Sequence, residues 1–376
     1  CVFAGATVGS WYPITPSTSL MDAFSGYCHS LRKDKETEKN NYSIIQAEDE
    51  LAAIGMALGA GWNGARSFTP TSGPGISLMG EFLGFGYYTE IPTVVFDVQR
   101  TGPSTGMPTR TQQCDLMACA YASHGDTKHV CLYPANPEEA FYLSTEAFNL
   151  AEQLQTPVFV LSDLDIGMND WTCPEFEWDD KREFDRGKVL SKDELDSMDS
   201  WGRYLDVDGD GIPYRTLPGT HPEKGAYFTR GSSHDEYAKY IEDGEANARN
   251  LTRIQKKFNG ATKFLPKPVL KQETNASSIG LIYSANIGKD YAMFEAAHGS
   301  APQFTGQNKV NPTATVLSGA WMADYMGERD VRDAIFGATE QVINEGKVVT
   351  WDIGGNATTT QMTDAIIEYA KDRLKK

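Results

Sequence analysis

Small and apolar residues recur at helical spacing from Gln46 to about Trp62, behind the acidic run Ala47-Glu48-Asp49-Glu50 that suits a helix N-terminus. Gly73-Pro74-Gly75 breaks the chain, and a second helical stretch follows over Ile76 to Tyr88. Thr93-Val94-Val95-Phe96-Asp97-Val98 is then a short apolar run of the kind buried in a parallel sheet. Thr156 to Ser162 repeats it after a helix predicted over Pro137 to Gln153. Strands alternating with helices predict an α/β, doubly wound domain over residues 1–172. From Trp171 to about Lys263 the periodicity fades and charge rises, with aromatic residues interspersed. That composition is too aromatic for a disordered linker, so residues 173–277 read as an extended arm packed on a neighbouring domain or subunit. Residues 278–285 look like the first strand of a second, truncated α/β domain, and 286–376 form a separate C-terminal module with helices over Val316–Met326, Asp330–Asn344 and Thr363–Leu374.

Composition changes this picture mainly by exclusion. The 34 Lys and Arg against 51 Asp and Glu leave a net charge of −17, which repels phosphate backbones and anionic lipid, so neither nucleic acid nor a membrane surface is an expected partner. No apolar run approaches the roughly 20 residues of a membrane span, and a cytoplasmic location is the default expectation. Six scattered cysteines are too few for a disulfide scaffold and lack cluster-ligand spacing. The first residue is Cys1, and Val2 to Ala6 reads as the inside of a helix-to-strand unit, so the amino end is expected to be truncated.

Several motifs carry candidate chemistry. In Tyr12-Pro13-Ile14-Thr15-Pro16-Ser17-Thr18, two prolines fix backbone angles and hold hydroxyls at a strand end. Glu48 opens a Gly- and Ala-rich helix, where the plain reading is an N-terminal helix carboxylate. Gly73 and Gly75 let backbone approach a neighbour closely, and Gln99-Arg100 to Thr109-Arg110 follows a strand directly. Asp206-Val207-Asp208-Gly209-Asp210-Gly211 imitates a calcium loop, but Leu217 stands where a bidentate Glu is needed, so a tight turn is the better reading.

Together these motifs resemble the alpha subunit of the thiamine-diphosphate 2-oxoacid:ferredoxin oxidoreductases, the 2-oxoglutarate type most closely, over about residues 1–283. The resemblance implies that Thr15 binds the substrate carboxylate or carbonyl, and that Glu48 meets N1′ of the aminopyrimidine. Arg100 would clamp the 1-carboxylate, Arg110 the distal carboxylate, and Gly73 and Gly75 would lie against the cofactor. It also implies a beta subunit that carries Mg²⁺ and an iron–sulfur cluster, with 2-oxoglutarate, coenzyme A and ferredoxin as reaction partners.

From about Ser284 the chain resembles a different family, the isocitrate/isopropylmalate dehydrogenases, through His298-Gly299-Ser300-Ala301-Pro302 and Asn311-Pro312. By that resemblance His298, Ala301 and Asn311 are a vestigial adenosine-binding set. Phe304 in place of a tyrosine would favour NAD over NADP. The family's substrate arginines, catalytic Tyr and Lys, and metal-binding aspartates have no counterpart upstream. The expected protein is thus an oxidoreductase alpha-subunit fragment joined to a dehydrogenase tail by recombination, engineering or misassembly. The alternatives are an NAD-dependent dehydrogenase module with a foreign N-terminus, or a non-catalytic scaffold.

Overall fold

The computed structural model describes residues 1–179, 181–266, 283–287, 292–296 and 304–375. The chain divides into two compact units, Cys1–Lys267 and Pro268–Lys376.

The first unit is built on a parallel sheet of β1 (Val8–Trp11), β2 (Ser43–Gln46), β3 (Ser67–Thr71), β4 (Thr93–Gln99), β5 (Val130–Leu132) and β6 (Pro157–Asp163), in the order β2-β1-β3-β4-β6-β5. Its helices are α1 (Thr18–Leu31), α2 (Glu50–Trp62), α3 (Gly73–Leu78), α4 (Gly80–Tyr88), α5 (Leu116–Ala120), α6 (Pro137–Leu154), α7 (Leu164–Met168), α8 (Lys192–Ser197) and α9 (Gly244–Gly260). Alternate residues of the fully buried β4 enter two apolar clusters. Val94 and Phe96 pack with Phe68, Phe148 and Val158, while Val95 packs with Ile54, Leu58, Phe159 and Leu161.

Two helix starts differ from the periodicity. The Asp49 carboxylate accepts the Ala52 amide at 2.7 Å and caps α2, so the helix begins at Glu50 and Glu48 lies outside it. Gly73-Pro74-Gly75, in contrast, opens a helix, because proline is tolerated in a first turn that has no amide to satisfy. Pro70 sits inside a central strand, which is unusual for a residue without an N–H. The β1–β3 register runs only through Val8↔Ser67 and Gly9↔Phe68, so the two strands have parted before Pro70.

The polar segment after α7 packs on the sheet domain of this same unit. Phe176 stacks on Phe141 at 4.5 Å, Trp178 meets Phe3 at 4.9 Å, and the Arg66 guanidinium lies 4.6 Å from the Phe184 ring. Two buried carboxylates do more. Glu152 of α6 pairs with Arg66 at 2.8 Å, Arg186 at 2.7 Å and Arg215 at 3.3 Å. Glu90, fully buried after α4, takes both Nη atoms of Arg253 at 2.9 and 2.6 Å and Lys257 Nζ at 2.6 Å, while its carbonyl accepts Arg203 at 2.8 Å. Helix α9 escapes the periodicity because its inward face includes Asn250, Arg253 and Lys257 where apolar residues usually stand.

In the second unit, β7 (Tyr283–Ile287) and β8 (Ala292–Ala296) pair antiparallel, and α10 (Thr313–Tyr325), α11 (Arg329–Glu345) and α12 (Thr359–Leu374) follow. Ala338, Val342, Val349, Met362, Ile366 and Ala370 form its core. Residues 278–282 of the expected strand lie outside the described residues.

Burial alone would push the Glu90 carboxyl up, but Arg253, Lys257 and Arg203 outweigh it and hold it at about 2 against an ordinary 4.5. Lys257 is lowered to about 8, by burial first and by Arg253, since one carboxylate must serve several cations. The Glu90 contribution is therefore complete above pH 4.5 and is lost as pH falls toward 2. Glu90→Gln should cost about 3–5 kcal/mol in denaturant unfolding at neutral pH, because it leaves buried cations unpaired. That deficit should shrink on acidification as the wild type loses the same interaction.

Candidate active site

In this strand order the chain leaves β1 for β2 on one side and returns to β3 on the other, so the direction of winding reverses between β1 and β3. A crevice opens beyond the carboxyl ends of strands at such a point. Every motif singled out in the first unit's sheet domain stands at that edge. Tyr12–Thr18 follows β1, Glu48 follows β2, Ser72–Gly75 follows β3, and Arg100–Arg110 follows β4.

Arg100 joins two of these loops. Its side chain is buried, Nη1 donates to the Thr15 carbonyl at 2.6 Å, and Nη2 donates to the Thr105 carbonyl at 3.0 Å. Nε is buried without an acceptor. The guanidinium thus spends part of its donor set on holding Thr15 and the 101–110 loop. It also lines a cleft of about 360 Å³ together with Gly73, Pro74, Ser77, Ser104 and Asp115. Thr15 is exposed beside it. Arg110 lies exposed at the loop's far end, where its Nη1 donates to the carbonyl and hydroxyl of Thr109 and its own carbonyl accepts the Thr101 amide at 2.9 Å.

Glu48 is exposed, and no described residue gives it a hydrogen bond or ion pair. Its neighbour Glu50 is 4% exposed and turns inward against the start of α3. There a Cβ on Gly75 would lie 1.9 Å from Thr71 Oγ1 and 2.8 Å from Glu50 Cγ, so only glycine fits. A Cβ on Gly73 would meet the Asp115 carboxylate at 2.8 Å. The edge therefore presents an unpartnered carboxylate, a buried arginine with an unused N–H and a close-packed glycine turn. This set suits an aminopyrimidine offered from outside the chain. A diphosphate would need a metal, and among the described residues no group of three His, Cys, Asp or Glu side chains is arranged to hold one.

The calcium-like loop is closed by the protein itself. Lys188 Nζ lies 2.7 Å from Asp208 and 2.9 Å from Asp210, and Lys256 lies 3.2 Å from Asp206. An ammonium group thus takes the cation's place. Sequence reasoning missed two acids beside the cleft, Asp97 and Asp115. The available signal was a charged residue in the middle of the apolar run of β4.

In the second unit, Asn311 stands two residues before the first residue of α10: its Oδ1 accepts from the Thr313 amide at 3.0 Å and hydroxyl at 2.6 Å, and Nδ2 donates to Asp352 at 3.0 Å. Phe304 packs on Trp351, with ring centroids 5.8 Å apart. His298 and Ala301 lie outside the described residues. No helix among the described residues is long and apolar enough to cross a membrane.

Residues 273–366 match the isocitrate/isopropylmalate dehydrogenase family. A 2-oxoglutarate synthase subunit KorA of Methanocaldococcus jannaschii is 44% identical over 164 residues, which are 44% of this chain and 42% of that protein. The alpha subunit of 2-oxoacid:ferredoxin oxidoreductase 1 of Sulfurisphaera tokodaii is 35% identical over 290 residues, 76% of this chain and 44% of that one. The chain thus spans less than half the length of these relatives. Among solved structures, a 2-oxoglutarate:ferredoxin oxidoreductase from Magnetococcus marinus, with 2-oxoglutarate, coenzyme A and succinyl-CoA bound, superposes with a TM-score of 0.64 at 27% identity. That superposition covers 77% of this chain and 45% of the other. Residues 1–257 match the family described as pyruvate flavodoxin/ferredoxin oxidoreductase, thiamine diP-bdg, and with that match extending over more than half its length the chain belongs to this family.

Proposed function

We propose that the first unit is the aminopyrimidine-facing part of the alpha subunit of a 2-oxoglutarate:ferredoxin oxidoreductase. The reaction converts a 2-oxoacid and coenzyme A to acyl-CoA, CO₂ and a proton, and two electrons pass singly to two ferredoxins. A beta subunit supplies the Mg²⁺ that binds the diphosphate and the iron–sulfur cluster. The observation that carries this reading is the gathering of Thr15, Glu48, Gly75 and Arg100 on one carboxyl edge, with Arg100 bonded to the Thr15 loop.

Thiamine diphosphate, when bound, supplies the nucleophilic carbon that attacks the 2-oxoacid's carbonyl. Glu48 projects from the edge with no partner among the described residues, and holds a proton at N1′ of the aminopyrimidine. Gly75 keeps the start of α3 close to Thr71 and so shapes the wall behind that ring. Arg100 keeps Thr15 and the 101–110 loop together, and its remaining N–H groups face the 1-carboxylate of the substrate. Arg110, exposed at the end of the same loop, receives the distal carboxylate of a dicarboxylic substrate.

The second unit is a vestigial nucleotide module. Asn311 is committed to Thr313 and Asp352, and hydride transfer from a 2-hydroxy acid needs a metal and a base that this tail does not bring. Purified chain with isocitrate, NAD or NADP and added Mg²⁺ or Mn²⁺ should form no reduced nucleotide; measurable isocitrate-dependent NADH would contradict this.

In the assembly with a beta subunit, Glu48→Gln should retain the cofactor through the partner's metal site. It should slow exchange of the cofactor's C2 hydrogen by ~10²–10⁴, the usual effect of losing one positioned acid or base. Wild-type exchange would remove Glu48 from the mechanism.

Arg100→Met should weaken use of 2-oxoglutarate far more than cofactor binding, by roughly 2–5 kcal/mol in kcat/KM. Arg110→Met should reduce the preference for 2-oxoglutarate over pyruvate. Equal loss with both substrates would take the distal carboxylate away from Arg110.

A further inference from the structure

Behind the cleft lies a pair of acids that the proposed reaction leaves unused. Asp97, in the middle of β4, is fully buried opposite Thr71 of β3 and Leu161 of β6. Asp115 stands just before α5, where it lines the cleft beside Arg100 and presses on Gly73. Cys119 borders both, its thiol toward Asp97 and its amide donating to the Asp115 carbonyl at 2.9 Å, and the two carboxyl groups act on each other. Thiols serve their other oxygens: Cys119 Sγ is 3.6 Å from Asp97 Oδ2, and Cys114 Sγ is 3.4 Å from Asp115 Oδ1. Asp97 Oδ1 and Asp115 Oδ2 are buried with no donor among the described residues. Two bare carboxylates in contact in such a place would repel each other and go unsolvated. One proton between them removes both costs.

We propose that Asp97 and Asp115 hold one proton between them, Asp97 as the acid and Asp115 as the anion, and that this shared proton positions the loop carrying Arg100 at the cleft. Beside the pair, the loop is anchored by backbone and amide side chains. The Asp115 amide donates to Gln99 Oε1 at 2.9 Å, Gln99 Nε2 donates to the Ser162 carbonyl at 3.2 Å, and Gln113 donates to Asp163 at 2.7 Å. Arg100, next to Gln99, then spans to Thr15 and Thr105. Removal of the proton would set two anions against each other, and Asp115, the less buried one, would be driven from Gly73 into the cleft. Burial first, and then the charge of Asp115, push the Asp97 carboxyl well above the usual range. Cys119 of α5, Cys131 of β5, Tyr133 and Cys114 are the other titratable groups acting on the pair, and Arg100 lines the same cleft as Asp115. The inference rests on the functional reading only for what the loop does once positioned.

Asp97→Asn keeps a donor toward Asp115 but carries no proton to lose. Infrared spectra of the full chain at neutral pH should show a carboxylic-acid C=O band that shifts in D₂O and is missing in Asp97→Asn. In Asp115→Asn, which leaves Asp97 protonated, the band should persist at a changed frequency. The native Asp97 binds a proton that the unfolded chain gives up above about pH 4, so wild-type stability should fall relative to Asp97→Asn as pH rises, by up to about tenfold in the folding constant per pH unit. Hydrogen-exchange protection of the Asp115 amide should fall with pH in the wild type and hold in Asp97→Asn. These measurements need neither cofactor nor partner, so they succeed or fail apart from the proposed activity. An unchanged infrared band or parallel stability curves would overturn the shared proton. Protection that is insensitive to pH in both proteins would overturn the positioning role.

Discussion

Glu90 and its cations are the interaction on which the first unit depends. A carboxylate at the end of α4 is removed entirely from water, and its two oxygens are divided between Arg253 and Lys257 of α9. Its backbone carbonyl takes Arg203 as well. Glu152 on α6 gathers Arg66, Arg186 and Arg215 in the same manner. Residues 186–257 bring most of these cations, so a polar stretch with little apolar surface of its own is fixed to the sheet through two acidic points. Such contacts are directional, and removing either partner leaves an uncompensated charge inside.

The functional edge follows from a different constraint, the parting of β1 and β3. The register ends at Gly9↔Phe68, Pro70 needs a neighbour only on the β4 side, and the loops beyond the strand ends have room to carry Thr15 and Gly75. Arg100 then crosses the opening to bond the Thr15 carbonyl. On the β3 side of the crevice the start of α3 is closely packed, with Gly75 against Thr71 and Gly73 against the Asp115 carboxylate. Glu48, in contrast, is exposed at the same edge with no hydrogen-bond or ion-pair partner among the described residues.

The sequence made some of this legible and hid the rest for physical reasons. The strands β4 and β6 and the helix α6 are long or strongly apolar, and their patterns identify them. By contrast, β1 and β2 have four residues each and β3 contains a proline, too little for a periodic signal. Helix α9 was hidden because its buried face includes Arg253 and Lys257, which find their counter-charge more than 160 positions away at Glu90. Pairing over that separation leaves no local trace. The motif residues at the edge were readable because proline fixes the backbone of the 12–18 loop, glycine permits close approach at 73–75, and the motifs together resemble those of a known family. What Arg100 bonds to was not, since its acceptors are main-chain carbonyls that any residue could supply. Asp97 carried a readable signal, a carboxyl in an apolar strand, whose meaning depends on Asp115 facing it in space.

The central claim is that this edge forms one side of a thiamine diphosphate site that another subunit completes. Calorimetric titration of thiamine diphosphate with Mg²⁺ into this chain alone, into a beta subunit alone, and into the two together tests it most directly. The account predicts no saturable binding by this chain, weak binding by the partner through its metal site, and clearly tighter binding by the pair. Tight binding by this chain alone, or binding by the pair no stronger than by the beta subunit, would contradict it.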